Sequence, residues 1–363
     1  MATGFSQWGN DLHTGRRSYD IVGKRRRWYI ASGVLIVLSI LAMLVRPFNL
    51  GIEFKGGAEF VVANVAELDQ SRAIDVVADA GITETARIST VGTTSMRVQT
   101  VPIEDEVTLA AVKDGLAQAY EVTAADVTVS QVGPTWGQDV LRKALQGLGV
   151  FLVLVAIVMT IYFRNWRMAA AALIALLHDL VVTVGVYAAI GWEVTPATMI
   201  GFLTILGYSI YDTVVVFDKV RENTDGILAQ KRATYAERAN LAVNQTLVRS
   251  INTSVVALLP VSSILFIGAF VLGAGTLRDI ALALFVGMAV GAYSSIYLAT
   301  PLEVTLRERE DTIKTHTAKV IAGRTAKGDE AGESTPAHAH TGQLAAGHHL
   351  GTAAQPKKKR RRK

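Results

Sequence analysis

The stretch Gly207-Tyr-Ser-Ile-Tyr-Asp-Thr-Val-Val-Val-Phe-Asp-Lys-Val-Arg-Glu-Asn223 decides how the chain is read, because it passes from hydrocarbon-compatible residues into a charged loop with Asp212 still inside the apolar part. An ionisable side chain at that depth costs roughly 2.5 to 3.5 kcal/mol on insertion scales, so it faces a partner, a water-filled cavity or a proton path. The run that holds it, 194–217, is one of six with the length that crosses a bilayer, about 20 mostly apolar residues. The others are 28–45, 144–163, 168–190, 250–271 and 279–302. Composition agrees: half of the 363 residues are hydrophobic and only 18% are charged, against roughly 25% in a soluble domain. The chain has no cysteine, which excludes disulfides, thiolate metal sites and cysteine nucleophiles together.

Lysine and arginine set the orientation, since basic loops stay in the cytoplasm. The cluster Lys24–Arg27, the turn with Arg164 and Arg167, and the loop 218–249 with Lys219, Arg221, Lys231, Arg232, Arg238 and Arg249 fall on one side. Both termini are then cytoplasmic. The first apolar run starts after 27 residues and lacks a small-residue cleavage site, so it reads as an anchor and not as a cleaved signal peptide. The segment that follows is too long for a loop and too polar for a helix, which makes it a domain of roughly 90 residues. It reads as strand Ala58–Val65, helix Asp69–Ala80, strands Ala86–Val91 and Met96–Val101, helix Glu104–Tyr120 and strand Asp126–Val132. That order is the ferredoxin-like signature.

The expected fold class is therefore an α-helical polytopic membrane protein with six transmembrane helices, plus a small α+β ferredoxin-like (βαββαβ) extracytoplasmic domain between helices 1 and 2. Its expected divisions are a cytoplasmic segment 1–27, the first transmembrane helix 28–46, the domain 47–141, and helices 2–6 over 142–305 with a cytoplasmic amphipathic loop at 219–249. A disordered basic tail, 306–363, ends the chain.

Several motifs carry the chemistry. In Gly51-Ile-Glu-Phe-Lys-Gly-Gly57, Gly56 and Gly57 permit a tight or left-handed backbone where the chain leaves the bilayer. The segment is either a connector or a contact for a partner or translocating chain through Glu53, Phe54 and Lys55, with Phe54 and Lys55 as the exposed groups. In Val132-Gly-Pro134, Pro134 ends the last strand and Gly133 allows the turn back to the membrane. His178 and Asp179 lie near the bilayer midplane, as interhelical glue or as members of a proton route. Side chains at i, i+1 point about 100° apart, which disfavours a shared metal. Asp212 lies near the cytoplasmic end of the fourth span and Arg249 at the start of the fifth, so the two can meet. Protonation of Asp212 would release that pair; the alternative is a static ion pair fixing helix register.

Polar residues collect at the same level: Tyr208, Ser209, Ser250, Asn252, Thr253, Ser294 and Ser295. Asp218, Arg221 and Glu222 read as a solvated helix end, and 224–247 as an amphipathic helix lying along the cytoplasmic face. The terminal run Lys357–Lys363 suits anionic lipid or ribosomal RNA, and His338, His340, His348 and His349 suit adventitious metal. No phosphate-binding Gly-x-x-x-x-Gly-Lys-Ser/Thr loop occurs, which argues against ATP as the energy source.

Taken together and in order, Gly51–Gly57, Val132-Gly-Pro134, Leu177-His-Asp-Leu180, Tyr208–Asn223 and Asn244–Ser254 make residues 20–305 resemble the SecD/SecF protein-export family, on its SecF side, within the resistance-nodulation-division superfamily. The resemblance implies a non-enzymatic subunit that couples the proton-motive force to preprotein export in the bacterial cytoplasmic membrane. It implies as partners a SecD-like subunit, the Sec translocation channel, the translocating unfolded polypeptide and membrane lipids, with no specific nucleic acid. No cofactor or metal is implied; protons are the coupling ion, with sodium as the alternative. The family's matching aspartate and arginine, here Asp212 and Arg249, are implicated in proton transfer. Two other classes compete. An autonomous proton-driven exporter of drugs or lipids usually carries both six-helix halves in one chain. An intramembrane aspartyl protease is suggested by Tyr211-Asp212 with Asp179, but lacks the Gly-x-Gly-Asp motif.

Overall fold

The computed structural model describes residues 2–46, 48–82, 86–271 and 275–330. Helix α1 (Ala2–His13) precedes α2 (Arg25–Val45), and strand β1 (Asn49–Leu50) with the single turn α3 (Ile52–Lys55) leads into the α/β domain. That domain comprises β2 (Gly57–Val62), α4 (Gln70–Asp79), β3 (Arg87–Val91), β4 (Ser95–Thr100), α5 (Glu106–Ala119) and β5 (Val127–Val132). Next come α6 (Pro134–Phe163), α7 (Trp166–Ile190), β6 (Glu193–Val194), α8 (Pro196–Thr224) and α9 (Tyr235–Ser263), which continues as a π-helix over Ile264–Val271. Helix α10 (Gly275–Ser294) passes through a second π-helical stretch, Ser295–Ala299, into α11 (Thr300–Arg307), and α12 (Asp311–Glu330) follows.

The domain's helices start where an aspartate can take otherwise orphaned N–H groups. Asp69 accepts from the Ser71 amide at α4, and Asp105 from the Val107 and Thr108 amides at α5. The four strands lie in the order β3-β4-β2-β5 with every pair antiparallel, Phe60 standing opposite Val98 on one side and Val129 on the other. Period-2 alternation turns Ala58, Phe60, Val62, Met96 and Val98 onto one face, where they pack with Ala73, Val77, Val112 and Leu116 from the two helices. The ferredoxin-like arrangement is as expected.

Among the described residues six helices are long and apolar enough to cross a bilayer: α2, α6, α7, α8, α9 and the α10–α11 rod. The chain is a multi-pass membrane protein. Helices α7, α8 and α10 form the inside of the bundle, with about half of their apolar windows buried, and α2, α6 and α9 lie around them. Small residues mark the close crossings, as membrane helices require: a Cβ on Gly201 would stand 2.7 Å from that of Ala283.

The face that carries α1 and α12 departs from the sequence reading. No separate amphipathic helix occupies 224–247. Helix α8 runs on to Thr224, and α9 starts at Tyr235, its N-cap Thr234 accepting from the Glu237 amide, and continues unbroken into the fifth span. Its stripe of Tyr235, Ala239, Ala242, Val243 and Leu247, at helical spacing, is buried against protein. Two asparagines on this stretch strap down the chain between α1 and α2. Asn240 Oδ1 accepts from the Ile21 and Val22 amides at 2.9 and 3.0 Å, and Asn244 Oδ1 from the Tyr19 amide at 2.7 Å. The tail is not disordered from 306: α12 buries Ile313 and Val320, and Arg324 donates to Glu237 at 2.7 and 2.8 Å. The tail histidines His338, His340, His348 and His349 and the run Lys357–Lys363 lie outside the described residues. The second membrane helix starts at Pro134 and not at 144, because Pro134 occupies a first-turn position where its missing N–H is no loss.

Candidate functional site

Two of the buried carboxylates, Asp179 and Asp212, lie on neighbouring helices of the bundle. Asp179, on α7, is fully buried, and Asp212, on α8, is 5% exposed. Asp179 Oδ2 accepts from Ser209 Oγ of α8 at 2.6 Å and from Ser294 Oγ of α10 at 2.7 Å. Its Oδ1 lies 3.1 Å from His178 Nδ1. Gly291 makes room here, since a Cβ at that position would press on Ser209 at 3.2 Å. Asp212 Oδ1 accepts from Ser250 Oγ of α9 at 2.8 Å, and Oδ2 from Ser295 Oγ at 2.5 Å. Ser294 and Ser295 are consecutive, and side chains one residue apart diverge by about 100° on a helix. One rod thus serves both aspartates, at the point where α10 becomes π-helical. Hydroxyl donors satisfy buried anions. A serine hydroxyl can also accept, so a carboxyl that gains a proton can reverse one of these bonds, with the serine then donating elsewhere; Ser294 and Ser295 each have a carbonyl of their own helix within reach, at 3.3 and 3.4 Å.

The expected pairing of Asp212 with Arg249 is absent. Arg249 is exposed, and its guanidinium donates to the Tyr211 hydroxyl at 3.3 Å. The reason is register. Asp212 and Ser250 face inward, while Tyr211 and Arg249, each one residue earlier, are turned to the outside by the same 100°. Of the other residues expected at this level, Ser209, Ser294 and Ser295 reach a carboxylate. Asn252 is exposed and Thr253 donates to the Arg249 carbonyl of its own helix. The hydroxyl of Tyr208 and Nε2 of His178 are buried without hydrogen-bond partners among the described residues, and the His178 ring lies 6.2 Å from that of Tyr293.

At the other face a connector ties the α/β domain to these helices. Phe54 is buried among Tyr187, Val194 and Phe202, which corrects the expectation of an exposed group; Lys55 is exposed. Gly56 holds φ +82°, and a Cβ there would stand 2.7 Å from Pro134 Cα; one on Gly57 would stand 2.5 Å from the Thr100 carbonyl oxygen. Glu53 turns inward, and burial, reinforced by nearby Glu193 and Glu59, holds its carboxyl above the usual range. Gln99 Nε2 bridges the two bodies by donating to Glu59 and Glu193, both at 2.9 Å, and Arg97 stands 3.6 and 3.7 Å from the same two carboxylates. Glu193 belongs to the link between α7 and α8, the helices that carry Asp179 and Asp212.

A family model described as protein export membrane protein SecD/SecF, C-terminal, matches residues 111–309, and one described as the SecD/SecF GG motif matches 41–63, which includes Gly56 and Gly57. Over 339 residues the chain is 47% identical to the protein translocase subunit SecF of Streptomyces coelicolor, covering 92% of this chain and 88% of that one. The chain belongs to the SecD/SecF protein-export family. Within the family it is also similar to SecF of Mycobacterium leprae, at 42% identity over 86% of this chain and 70% of that one. The crystal structure of SecDF, a translocon-associated membrane protein from Thermus thermophilus, aligns with a TM-score of 0.70 at 32% identity, covering 81% of this chain and 39% of that one. A super-membrane-facing form of SecDF aligns at 0.54 and 29% identity, covering 86% of this chain and 40% of that one. This chain therefore spans about two fifths of the SecDF chains it matches.

Sequence reasoning on this SecD/SecF member missed a group that the structure brings forward. Glu303 is fully buried on α11. Its signal was present: an acidic residue one position beyond the last apolar run, in Ala299-Thr-Pro-Leu-Glu-Val304.

Proposed function

We propose that the chain is the SecF-type subunit of a bacterial export machine. It works beside a SecD-like chain and the Sec channel in the cytoplasmic membrane, with both termini inside. Protons move down their gradient through it while its extracytoplasmic domain acts on an emerging, unfolded polypeptide. The observation that carries this reading is the pair of buried carboxylates joined through the consecutive serines 294 and 295. A proton arriving at Asp212 neutralises it and reverses its bond to Ser250 or Ser295, which loosens α8 from α9 or from the sixth span. Helices α7 and α8 meet at Glu193, to which Gln99 and Arg97 of the domain are tied, so a shift between them is felt outside. An arginine on the open face of a membrane helix needs a counter-charge, and a second six-helix chain seated against Arg249 would supply one. No covalent chemistry is assigned to the chain.

The test is Asp212→Asn, which keeps shape and removes titration, in inverted membrane vesicles that export a preprotein. The gradient-dependent part of export is expected to vanish while the part that survives gradient collapse is retained. Export that keeps its full response to the gradient would sink the proposal.

A further inference from the structure

A third carboxylate lies further along the sixth span, on α11 toward α12. Glu303 Oε1 accepts from the Tyr235 hydroxyl of α9 at 2.6 Å, whereas its Oε2 is buried without a hydrogen-bond partner among the described residues. Thr300 Oγ1 and Arg307 Nε are also buried and lack a hydrogen-bond partner among the described residues. Positions 300, 303 and 307, spaced by three and four, share one face of α11. Native proteins seldom leave buried polar atoms unpaired, and such clusters are where internal water resides. The face is charged from every side. Arg307 Nε stands 3.9 Å from Glu303 Oε1 and its guanidinium lies over the Tyr235 ring at 5.4 Å. It donates to Glu310 at 2.5 Å, and Glu310 also accepts from Arg167 of α7 at 2.8 Å. Glu308 pairs with Arg25 of α2 at 2.6 Å. Glu308 and Glu310 are partly open to solvent.

The other end of the same rod is Ser295, the donor to Asp212. Eight residues separate it from Glu303, a rise of roughly 12 Å. The π-helical stretch Ser295–Ala299 lies between them. On an α-helix, residues five apart diverge by roughly 140°, but the wider turn with i→i+5 bonds brings such residues closer to alignment. Ser295, Thr300 and Glu303 are thereby drawn toward one side of the rod.

We infer that Glu303 is the proton-release group on the cytoplasmic side, an inference that rests on the proton-coupling reading above. A proton leaving Asp212 crosses water held by Thr300 and binds Oε2 of Glu303, while the Tyr235 hydroxyl keeps Oε1 in place. It then leaves Oε2 for water beside Glu310 and the cytoplasm. The O–H bond on Asp212 breaks as the relaying water takes up the proton, the bond on Oε2 forms as that water gives one up, and it breaks again on release to cytoplasmic water.

Glu303→Gln keeps an oxygen for Tyr235 and removes titration, and Glu303→Asp keeps titration. In vesicles carrying this chain with its SecD-like partner, proton flux is expected to fall about 100-fold or more in Glu303→Gln, the scale of a lost proton-transfer group. Glu303→Asp should keep measurable flux, and both should match the parent in thermal unfolding. If Glu303→Gln conducts like the parent while Asp212→Asn does not, Glu303 is only a strut and the inference is overturned, with the coupling reading intact. If neither change alters flux, both fall. Should Glu303→Gln fail to fold, Tyr235→Phe provides the second arm. It is expected to move the cytoplasmic-pH midpoint of flux by about one unit, the scale of one lost hydrogen bond to a carboxylate, and an unmoved midpoint overturns the inference.

Discussion

Replacing Gly56 by alanine tests whether the connector is a rigid joint. Gly56 has φ +82° and ψ 160°, a region occupied essentially by glycine alone, which costs a side-chain-bearing residue about 1 to 3 kcal/mol. The added Cβ would also stand 2.7 and 2.8 Å from Pro134 Cα and N. These are backbone atoms held by the first turn of α6 and cannot rotate away, so overpacking adds about 1 to 3 kcal/mol. Together the loss is about 2 to 6 kcal/mol. For a domain of this size each kcal/mol lowers the unfolding midpoint by roughly 4 to 8 °C, so a fall of about 8 °C or more is expected by near-ultraviolet circular dichroism of the purified protein. Gly133 is the internal control. It has φ −68° and ψ 145°, and a Cβ there meets nothing within 4 Å, so Gly133→Ala should stay within about 0.5 kcal/mol of the parent. Equal midpoints for both variants would refute the reasoning.

Gln99→Leu removes the donor shared by Glu59 and Glu193 and should cost about 1 to 3 kcal/mol. It should also uncouple the domain, so that export falls while proton flux persists; a parallel fall of both would contradict the proposed link. Asn240→Ala frees the Ile21 and Val22 amides, and faster tryptic cleavage at Arg16 and Arg17 is expected, with an unchanged rate counting against the strap. The caps Asp69, Asp105 and Asp126 are held below the ordinary aspartate value of 3.8 by hydrogen bonds from Ser71, from Thr108, and from Thr123 and Asn64. Their folded forms bind protons less readily than the unfolded chain, so their contribution is present above the ordinary value and lost as pH falls through the lower folded ones. Unfolding of the domain should become easier across that acidic window, and Asp105→Asn should flatten the dependence.

Much of this architecture is legible in the apolar runs and in the alternation of the domain strands, because both report burial directly. The site is legible only in part. Asp179 and Asp212 stand out as charges in hydrocarbon, and Ser250 and Ser295 are visible at the same level as Asp212, but which of the polar residues there face it is not, since a hydroxyl alters hydropathy little and its helix face depends on register. A shift of one residue decides whether Arg249 or Ser250 meets Asp212, and composition cannot resolve it. Strong charge attraction favours the arginine on paper; packing places the serine inside. The stripe Tyr235, Ala239 and Val243 reads alike for a lipid surface or a protein one. In α12 the burial of Ile313, His316 and Val320 holds a helix whose mean polarity resembles that of an unstructured tail. The two π-helical stretches have no composition signal, although one of them sets the placement of Ser295.

The central claim is that Asp212 binds and releases a proton. The most direct measurement is proton uptake into vesicles that contain this chain with its SecD-like partner, driven by an imposed potential and followed by an internal pH dye. The parent should acidify the lumen, and Asp212→Asn should reduce the rate to that of empty vesicles while leaving the assembled complex intact. Uptake by Asp212→Asn at the parent rate would contradict the account and leave Asp212 as a carboxylate that only holds helices together.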